Sequence, residues 1–353
     1  MARFPAANEM ELADVEDRPS KMKDTVVSDD IRGGGTSRSL VRSLIAHRGV
    51  FLIIISAMVF SLWASLAKIL TTSLSVFQVV VMTMPFAMAS SAVCATLKGL
   101  KPPANGAPPY FWLLASGLLV TVKNVTTFWA YAFIDVADVI TIGQSSVIIV
   151  AILSCFILRE PPKLLDIVFG VLAIVGVVVI ARPSFIFGSE ESMSSSDQKN
   201  SLLGIALAMT TALTIAIFYI VTRKQSSLGV HPFISSLSNS SLCCFLTAIL
   251  CTALGYWKCP TYEELMLTIA TGMAYFGGQV TMYLSLSLEN ATTVSVLFTS
   301  KIVFGFIWQF ALFYVIPSWT SACGAALVMT ACVCTVLRKW YSQRENENED
   351  PAV

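Results

Sequence analysis

Residues 164–181 read LLDIVFGVLAIVGVVVIA, an apolar run of eighteen residues whose single charge, Asp166, lies close to the start. An α-helix needs about 20 predominantly apolar residues to cross the hydrocarbon core of a bilayer. Pro161 and Pro162 come just before the run and separate it from the preceding apolar stretch. These residues therefore predict a membrane-spanning helix.

The composition of the whole chain points the same way. The chain has 353 residues, of which 55% are apolar and 13% charged, with a formal net charge of +1. Soluble domains carry about 25% charged residues, so this chain has too few charges to cover a surface that faces water. It also lacks the basic excess with which proteins bind nucleic-acid phosphates. We therefore predict a polytopic protein of the lipid bilayer, with no nucleic-acid partner.

Ten apolar runs follow a charged stretch at 1–49, which is too polar to bury a core and is predicted to be a disordered cytoplasmic arm. A Ser-rich stretch at 183–200 separates the first five runs from the last five, and a polar cytoplasmic tail follows at 341–353. The predicted spans are 50–70, 76–97, 110–134, 137–158, 164–181, 202–222, 232–254, 264–286, 291–315 and 319–337.

The two halves of the chain resemble each other. An offset of 154 residues places Ser146 on Ser300 and Gly170 on Gly324. Because five is an odd number of spans, the second copy must enter the membrane in the opposite orientation. The predicted fold is an all-α membrane protein of ten transmembrane helices, arranged as two inverted five-helix repeats. The repeats occupy residues 50–182 and 201–340, and a non-cytoplasmic linker at 183–200 joins them.

Lysine and arginine residues are distributed unequally between the loops. If the amino terminus is cytoplasmic, thirteen of them lie on the cytoplasmic side near the membrane and three on the opposite side. Cytoplasmic loops carry an excess of these residues, so we predict that both termini are cytoplasmic. The thirteen are Arg32, Arg38, Arg42, Arg48, Lys98, Lys101, Arg159, Lys163, Arg223, Lys224, Arg338, Lys339 and Arg344, and the three are Arg182, Lys199 and Lys258.

Two lysines lie near the middle of predicted spans, Lys123 in the third and Lys301 in the ninth. A lysine at the centre of a membrane helix costs about 2.5–3.5 kcal/mol on insertion scales, so we expect it to face an interior cavity with a counter-charge. No Asp or Glu is predicted at this depth, and an anionic substrate is one source of the missing charge. Snorkelling to an interface, or bonding to carbonyls at a broken helix, is the alternative for each lysine.

Polar side chains of neighbouring spans are candidates to complete such a site, although each alone is common as a contact between helices. The predicted substrate-binding residues are Lys123, Lys301, Asn124, Tyr131, Gln144, Gln279 and Tyr283, with Tyr275 as a further polar neighbour.

No catalytic arrangement is visible in the sequence. The chain has two histidines, far apart, and lacks a phosphate-binding loop and a cluster with metal-ligand spacing. We therefore predict no enzyme activity, no metal and no cofactor. The acids near the spans are expected to be solvated or to cap the following helix; they are Asp135, Asp138, Glu160, Asp166 and Glu289.

Four stretches of the first half resemble the EamA-like drug/metabolite transporters, and among these the G-type subgroup of solute carrier family 35. They are Tyr131-Ala-Phe-Ile-Asp-Val-Ala-Asp138, Phe156-Ile-Leu-Arg-Glu-Pro161, Gly170-Val-Leu-Ala-Ile-Val-Gly176 and Ala181-Arg-Pro-Ser-Phe-Ile-Phe-Gly188. The resemblance implies a ten-helix inverted-repeat fold, carriage of small metabolites, and a location in the plasma membrane or in the endoplasmic reticulum or Golgi.

The chain also departs from the family pattern. In the second span, an acid followed five residues later by Arg is replaced by Gln78 and Thr83. In the ninth span, Lys301 occupies a position expected to be acidic in close relatives. The site has therefore lost negative charge and gained positive charge, which favours an anionic substrate.

Two functions are consistent with these observations. The first is a facilitator or exchanger of a small organic anion, such as a carboxylate, a nucleotide sugar or a phosphorylated metabolite. The second is a membrane interaction protein that does not transport but uses the same fold to bind another membrane protein. The long charged arm supports the second function, because a minimal carrier does not need it.

Deletion of residues 1–40 distinguishes the two functions. If the chain is a carrier, uptake of its substrate into proteoliposomes is expected to survive the deletion, because the spans that bind the substrate are intact. Loss of partner capture with no transport in either form would instead favour the interaction protein.

Overall fold

The computed structural model describes residues 48–100, 107–131, 133–134, 136–159, 164–181, 195–314 and 319–349. Within these ranges the regular structure is helical throughout. The helices are α1 (Arg48–Leu70), α2 (Val76–Leu97), α3 (Ala107–Tyr131), α4 (Val136–Gln144), α5 (Ser146–Leu153), α6 (Leu164–Ala181), α7 (Ser195–Ser227), α8 (Pro232–Ala253), α9 (Tyr262–Leu288), α10 (Ala291–Phe298), α11 (Lys301–Phe313) and α12 (Trp319–Glu349). A π-helical turn at Ser154–Leu158 follows α5.

These helices form ten membrane segments, because α4 and α5 share one segment and α10 and α11 share another. Within the described ranges, eight segments are long and apolar enough to cross a bilayer by length and composition. The other two, α3 and α9, have 25 and 27 residues and carry polar side chains in their middles. The predicted ten-helix membrane fold is confirmed.

The helix ends differ from the predicted domain limits in two places. Helix α7 begins at Ser195, within the stretch predicted as a linker, and α12 continues to Glu349, within the predicted tail. Most of the arm at 1–49 lies outside the described residues. The division into domains therefore stays a prediction.

Helix packing has the symmetry of an inverted repeat. The most extensive contacts join α1 to α9, α3 to α7, α2 to α8 and α6 to α12. Exchanging the two halves converts the α1–α9 contact into the α7–α3 contact. The same exchange leaves the α2–α8 and α6–α12 contacts unchanged. A pseudo-two-fold relation between the repeats requires this pattern.

The offset between the halves is 155 residues along most of the repeat. Helix α4 begins at Val136 and α10 at Ala291, and α6 begins at Leu164 and α12 at Trp319, so both pairs differ by 155. The predicted offset of 154 in this region is one residue short. Matching of side chains defines register poorly in apolar helices, because many residues there are interchangeable.

Two predicted spans, 137–158 and 291–315, are broken rather than continuous. At the first break the Ser145 amide and hydroxyl both donate to Ile142 O, at 3.0 and 2.7 Å. At the second break Ser300 makes the same two bonds to Leu297 O, at 3.1 and 2.7 Å. At each break the backbone therefore forms an i to i−3 turn. The serine hydroxyl also bonds to the carbonyl oxygen that accepts from the serine amide, and so competes with the backbone for it.

The two broken segments also end alike. Arg159 and Tyr314, which are 155 residues apart, both adopt the left-handed conformation with φ of 55°. In the described residues they are the two non-glycine positions with positive φ. A side chain is disfavoured in this conformation, so its recurrence at equivalent positions supports the repeat.

Helices α6 and α12 approach each other through glycine. A Cβ atom at Gly324 would lie 2.6 Å from Gly176 O and 2.9 Å from the Ile180 nitrogen. Backbone atoms cannot yield to such a contact. Small residues allow membrane helices to pack closely through van der Waals contact, and this pair does so where the fifth and tenth segments meet.

We expect Gly324→Ala to destabilise the protein by about 1–3 kcal/mol, because the added methyl group overpacks the contact between α6 and α12. The apparent melting temperature in detergent measures the effect. Gly305→Ala in α11 is the matched control, because a Cβ there has no heavy atom within 4 Å. An equal melting temperature for the two variants would contradict this account of the packing.

Candidate substrate-binding site

Lys301 is the first residue of α11 and follows the break directly. Its side chain is half-buried, and Nζ lies 4.7 Å from the ring centroid of Phe298, the last residue of α10. The amino terminus of a helix carries a partial positive charge from its unpaired N–H groups. The lysine and the helix end therefore place positive charge at the same break.

Lys123, from the other repeat, lies near this charge. It projects from α3 beside Cys243 of α8, and the two ammonium groups are near enough for their charges to repel. Asn124 donates to Cys243 Sγ at 3.5 Å. In the part of the chain that the structure describes, neither Nζ atom forms a salt bridge or a hydrogen bond. Two positive charges thus approach each other without a carboxylate between them.

An aromatic cluster lies beside Lys301. The ring of Phe60 is 5.5 Å from that of Phe298 and 5.9 Å from that of Tyr275, and Trp63 is 5.5 Å from Tyr275. The sequence analysis missed Trp63, whose buried Nε1 has no hydrogen-bond partner. The sequence feature that could have identified Trp63 is an indole N–H donor in the middle of an apolar span, where hydrogen-bond acceptors are few.

Gln279 and Tyr283 of α9 are joined to this cluster. The Gln279 amide donates to Tyr283 Oη, and Tyr275 lies one helical turn before Gln279 in the same helix. Tyr283 in turn accepts a hydrogen bond from Asn239 of α8. The Oε1 atom of Gln279 is buried and has no partner. One polar atom next to the aromatic cluster is therefore unsatisfied.

The structure brings together five of the seven predicted site residues: Lys123, Lys301, Asn124, Gln279 and Tyr283. Gln144 is buried at the end of α4, directly before the first break, and its Nε2 has no partner. Among the described residues, it forms no hydrogen bond with either lysine. The side chain of Tyr131, the last residue of α3, lies outside the described part of the structure. The role of these residues in binding stays a prediction.

The expectation of solvated acids is wrong for Asp138, Asp166 and Glu289, which are all buried. Asp166 pairs with Arg338 of α12, and Glu289 pairs with Lys339 of the same helix. Asp138 and Asp166 lie in the first turns of α4 and α6, as expected of acids that cap a helix. Asp135 and Glu160 lie outside the described residues. Burial near a span end is possible here because a neighbouring helix supplies the counter-charge.

These pairs lie at one end of the bundle, which we call the basic end and define by Arg48, Arg223, Arg338 and Lys339. Further contacts close this end: Arg223 donates to Leu286 O at 2.7 Å, and Ser285 donates to Gly49 O at 2.8 Å. They connect α7 and α1 to α9, near the point where Glu289 meets Lys339.

Gln78, which the sequence analysis expects at the position of a family acid, lies at the opposite end of the bundle. Its amide accepts from Lys258 N at 3.1 Å and donates to Lys258 O at 2.5 Å, in the loop between α8 and α9. The ring of Phe77 stacks on Tyr256 of the same loop, with centroids 6.0 Å apart. This position therefore supports contacts at the bundle end rather than the lysine pair.

Comparison with known proteins agrees with this architecture. Residues 47–182 match the EamA-like transporter family. The chain is 30% identical over 231 residues to human solute carrier family 35 member G1, covering 65% of this chain and 63% of that protein. It is 24% identical over 288 residues to the pseudopaline exporter CntI of Pseudomonas aeruginosa, covering 81% and 94%. A solved crystal structure superimposes with a TM-score of 0.68 at 14% identity, covering 84% of this chain and 98% of the other.

The fold and these matches define a polytopic membrane protein built from an EamA-like inverted repeat. The chain is similar to the EamA-like transporter family over residues 47–182, and to the G1 members of solute carrier family 35 over 65% of its length. The predicted resemblance is confirmed. The matched region spans somewhat less than two thirds of the length of the human and mouse G1 proteins.

We expect Lys301→Met to raise the apparent melting temperature of the ligand-free protein by several degrees. The substitution removes an unpaired charge from the membrane interior, together with its repulsion from Lys123, while Met retains the apolar stem. The control is Lys258→Met, because Lys258 Nζ donates to Ser73 O at 3.1 Å in an exposed loop. A lower melting temperature for Lys301→Met would show that the lysine stabilises the fold and has a structural role.

Proposed function

We propose that the chain is a carrier, a facilitator or exchanger, of a small organic anion that works by alternating access. The observation that supports this proposal is the pair Lys123 and Lys301, two mutually repelling charges from opposite repeats with no carboxylate partner among the described residues. Carboxylates, nucleotide sugars and phosphorylated metabolites all carry the complementary charge.

A bound anion would relieve an electrostatic cost that the protein alone does not offset. Each lysine is expensive at mid-membrane depth, and their repulsion adds to that expense. The free amino terminus of α11 would add N–H groups and a partial positive charge on the same side. Carriers with inverted repeats bind anionic groups at such broken helices near the bilayer midplane.

The relatives support transport without identifying a cargo. The matched family is described as transporters, and one relative as an exporter of pseudopaline. The substrate of that exporter does not carry over to this chain, because the two proteins are only 24% identical. We therefore propose the cargo as a class of compounds, the small organic anions, and not as one compound.

The contacts at the two ends of the bundle suggest how access would alternate. Arg338 and Lys339 tie α12 to acids of both repeats at the basic end, and Gln78 ties α2 to the loop after α8 at the other. Release of one set while the other holds would open the lysines to one side at a time. We further infer that the basic end faces the cytoplasm, because it concentrates arginine and lysine.

Uptake of a panel of carboxylates, nucleotide sugars and sugar phosphates into proteoliposomes tests the proposal. We expect Lys301→Ala to reduce uptake of the transported anion at least tenfold, because the charge that attracts the anion is lost. Lys301→Arg is expected to retain part of the activity, because the charge remains.

Lys258→Ala is the control for uptake, and it should leave transport unchanged because Gln78 contacts the backbone of Lys258, which the substitution retains. Uptake by Lys301→Ala at the wild-type rate would overturn the role of Lys301. Uptake of neutral or cationic solutes in preference to every anion would overturn the proposed substrate class.

A further inference from the structure

Two buried polar atoms at the aromatic cluster have no hydrogen-bond partner in the described part of the protein. They are Oε1 of Gln279 in α9 and Nε1 of Trp63 in α1. The whole Gln279 side chain is buried, with 1% of the residue exposed. Because a buried polar atom without a hydrogen bond is costly, a ligand group that pairs with it binds favourably there.

The free atom of Gln279 is an acceptor. The Nε2 group of the same amide donates to Tyr283 Oη, one helical turn further along α9, and Oε1 is left without a partner. A carbonyl oxygen accepts hydrogen bonds and donates none. A ligand group that pairs with Oε1 must therefore carry an O–H or N–H proton.

The aromatic cluster connects this acceptor to the charge of Lys301. Tyr275 lies one turn before Gln279 in α9, and its ring is 5.9 Å from that of Phe60. The Phe60 ring is 5.5 Å from that of Phe298, which lies 4.7 Å from Lys301 Nζ. The ammonium group and the amide oxygen are thus joined through one packed set of rings, where different groups of one ligand can meet them.

Trp63 specifies the chemistry of the ligand further. Its ring is 5.5 Å from that of Tyr275, and its Nε1 is a donor that lacks an acceptor. A hydroxyl group both donates and accepts, so hydroxyl groups can satisfy Trp63 as well as Gln279. An ammonium group would satisfy Gln279 but would be repelled by the two lysines.

We propose that the transported anion bears a hydroxyl group in addition to its charged group, and that Gln279 Oε1 accepts the hydroxyl proton. The inference rests on the proposed function and narrows its substrate class. It favours hydroxy acids, sugar phosphates and nucleotide sugars over carboxylates that lack a hydroxyl group. The lysines attract the charge, and Gln279 selects among anions of equal charge.

Pairs of anions that have the same charge and differ in one hydroxyl group test the inference. The pairs are malate and succinate, lactate and propionate, glycerol phosphate and propyl phosphate, and UDP-glucose and UDP-quinovose. Initial uptake into wild-type proteoliposomes is measured below KM. We expect the hydroxylated member of a transported pair to enter about tenfold faster, because its partner leaves Oε1 unsatisfied.

Equal rates within every transported pair would overturn the inference and leave the carrier function intact. Absence of uptake of every anion by wild type would overturn both.

Gln279→Leu removes the acceptor and keeps a side chain of similar size. The ratio of the two rates within a pair does not depend on how much protein folds, so it is compared between variants. We expect this ratio to fall from about ten to about one, through slower uptake of the hydroxylated member. An equal loss for both members would show that Gln279 contacts the charged group, and would overturn the inference.

Gln225→Leu is the matched control. Gln225 of α7 is also buried with an unpaired Oε1, but its Nε2 donates to Ser116 Oγ and Trp112 O of α3, outside the aromatic cluster. We expect this variant to have a lower melting temperature and an unchanged ratio.

Trp63→Phe provides a second variant if Gln279→Leu does not fold. It keeps an aromatic ring and removes the indole donor, so the ratio is expected to fall here too. A ratio that stays at the wild-type value in both Gln279→Leu and Trp63→Phe, or in Trp63→Phe alone where the other does not fold, would overturn the inference.

Discussion

An ammonium group inside a membrane protein needs a counter-charge, water or a ligand, and this requirement organises the centre of the molecule. Lys301 lies directly after a helix break, and a break exposes backbone groups that hydrocarbon cannot satisfy. The turn is tolerated because the Ser300 amide and hydroxyl both bond to Leu297 O, inside the bundle. The charge and the break thus depend on the same few residues, since the turn that ends α10 places the lysine at the start of α11.

Basic side chains form ion pairs at the basic end of the bundle, but those in the middle of the bundle do not. At the basic end, Arg338 and Lys339 each pair with a buried acid, so adjacent residues of α12 connect to α6 and to the end of α9. In the middle, Lys123 and Lys301 have no such partner among the described residues. Breaking a buried ion pair is costly, whereas binding an anion between unpaired lysines is favourable. The first arrangement suits contacts that hold a conformation, and the second suits a site that is filled and emptied.

The sequence was sufficient for the features that depend on composition and charge. Hydropathy located the spans, and insertion cost singled out Lys123 and Lys301. It was insufficient where geometry depends on hydrogen bonds between helices. The breaks at Ser145 and Ser300 look like ordinary hydroxyls in apolar helices, and Asn239 looks like one more polar residue in α8. Asp166 and Glu289 appeared solvated because their partners in α12 are distant in sequence. Such pairings arise only when the ten segments are packed.

The two repeats share a backbone conformation, but the two lysines do not occupy equivalent positions in them. Their breaks, left-handed ends and helix starts recur at an offset of 155, yet the position that corresponds to Lys301 is Ser146, which is uncharged. The position that corresponds to Lys123 is Gly278, where a Cβ atom would lie 2.9 Å from the Phe60 ring, so no lysine fits. Each half therefore contributes one charge from a different helix. In the proposed carrier, the symmetric scaffold would let the two halves exchange conformations, and the asymmetric lysines would bind one ligand together. For this reason similarity to the family supports the proposed movement better than it identifies a cargo.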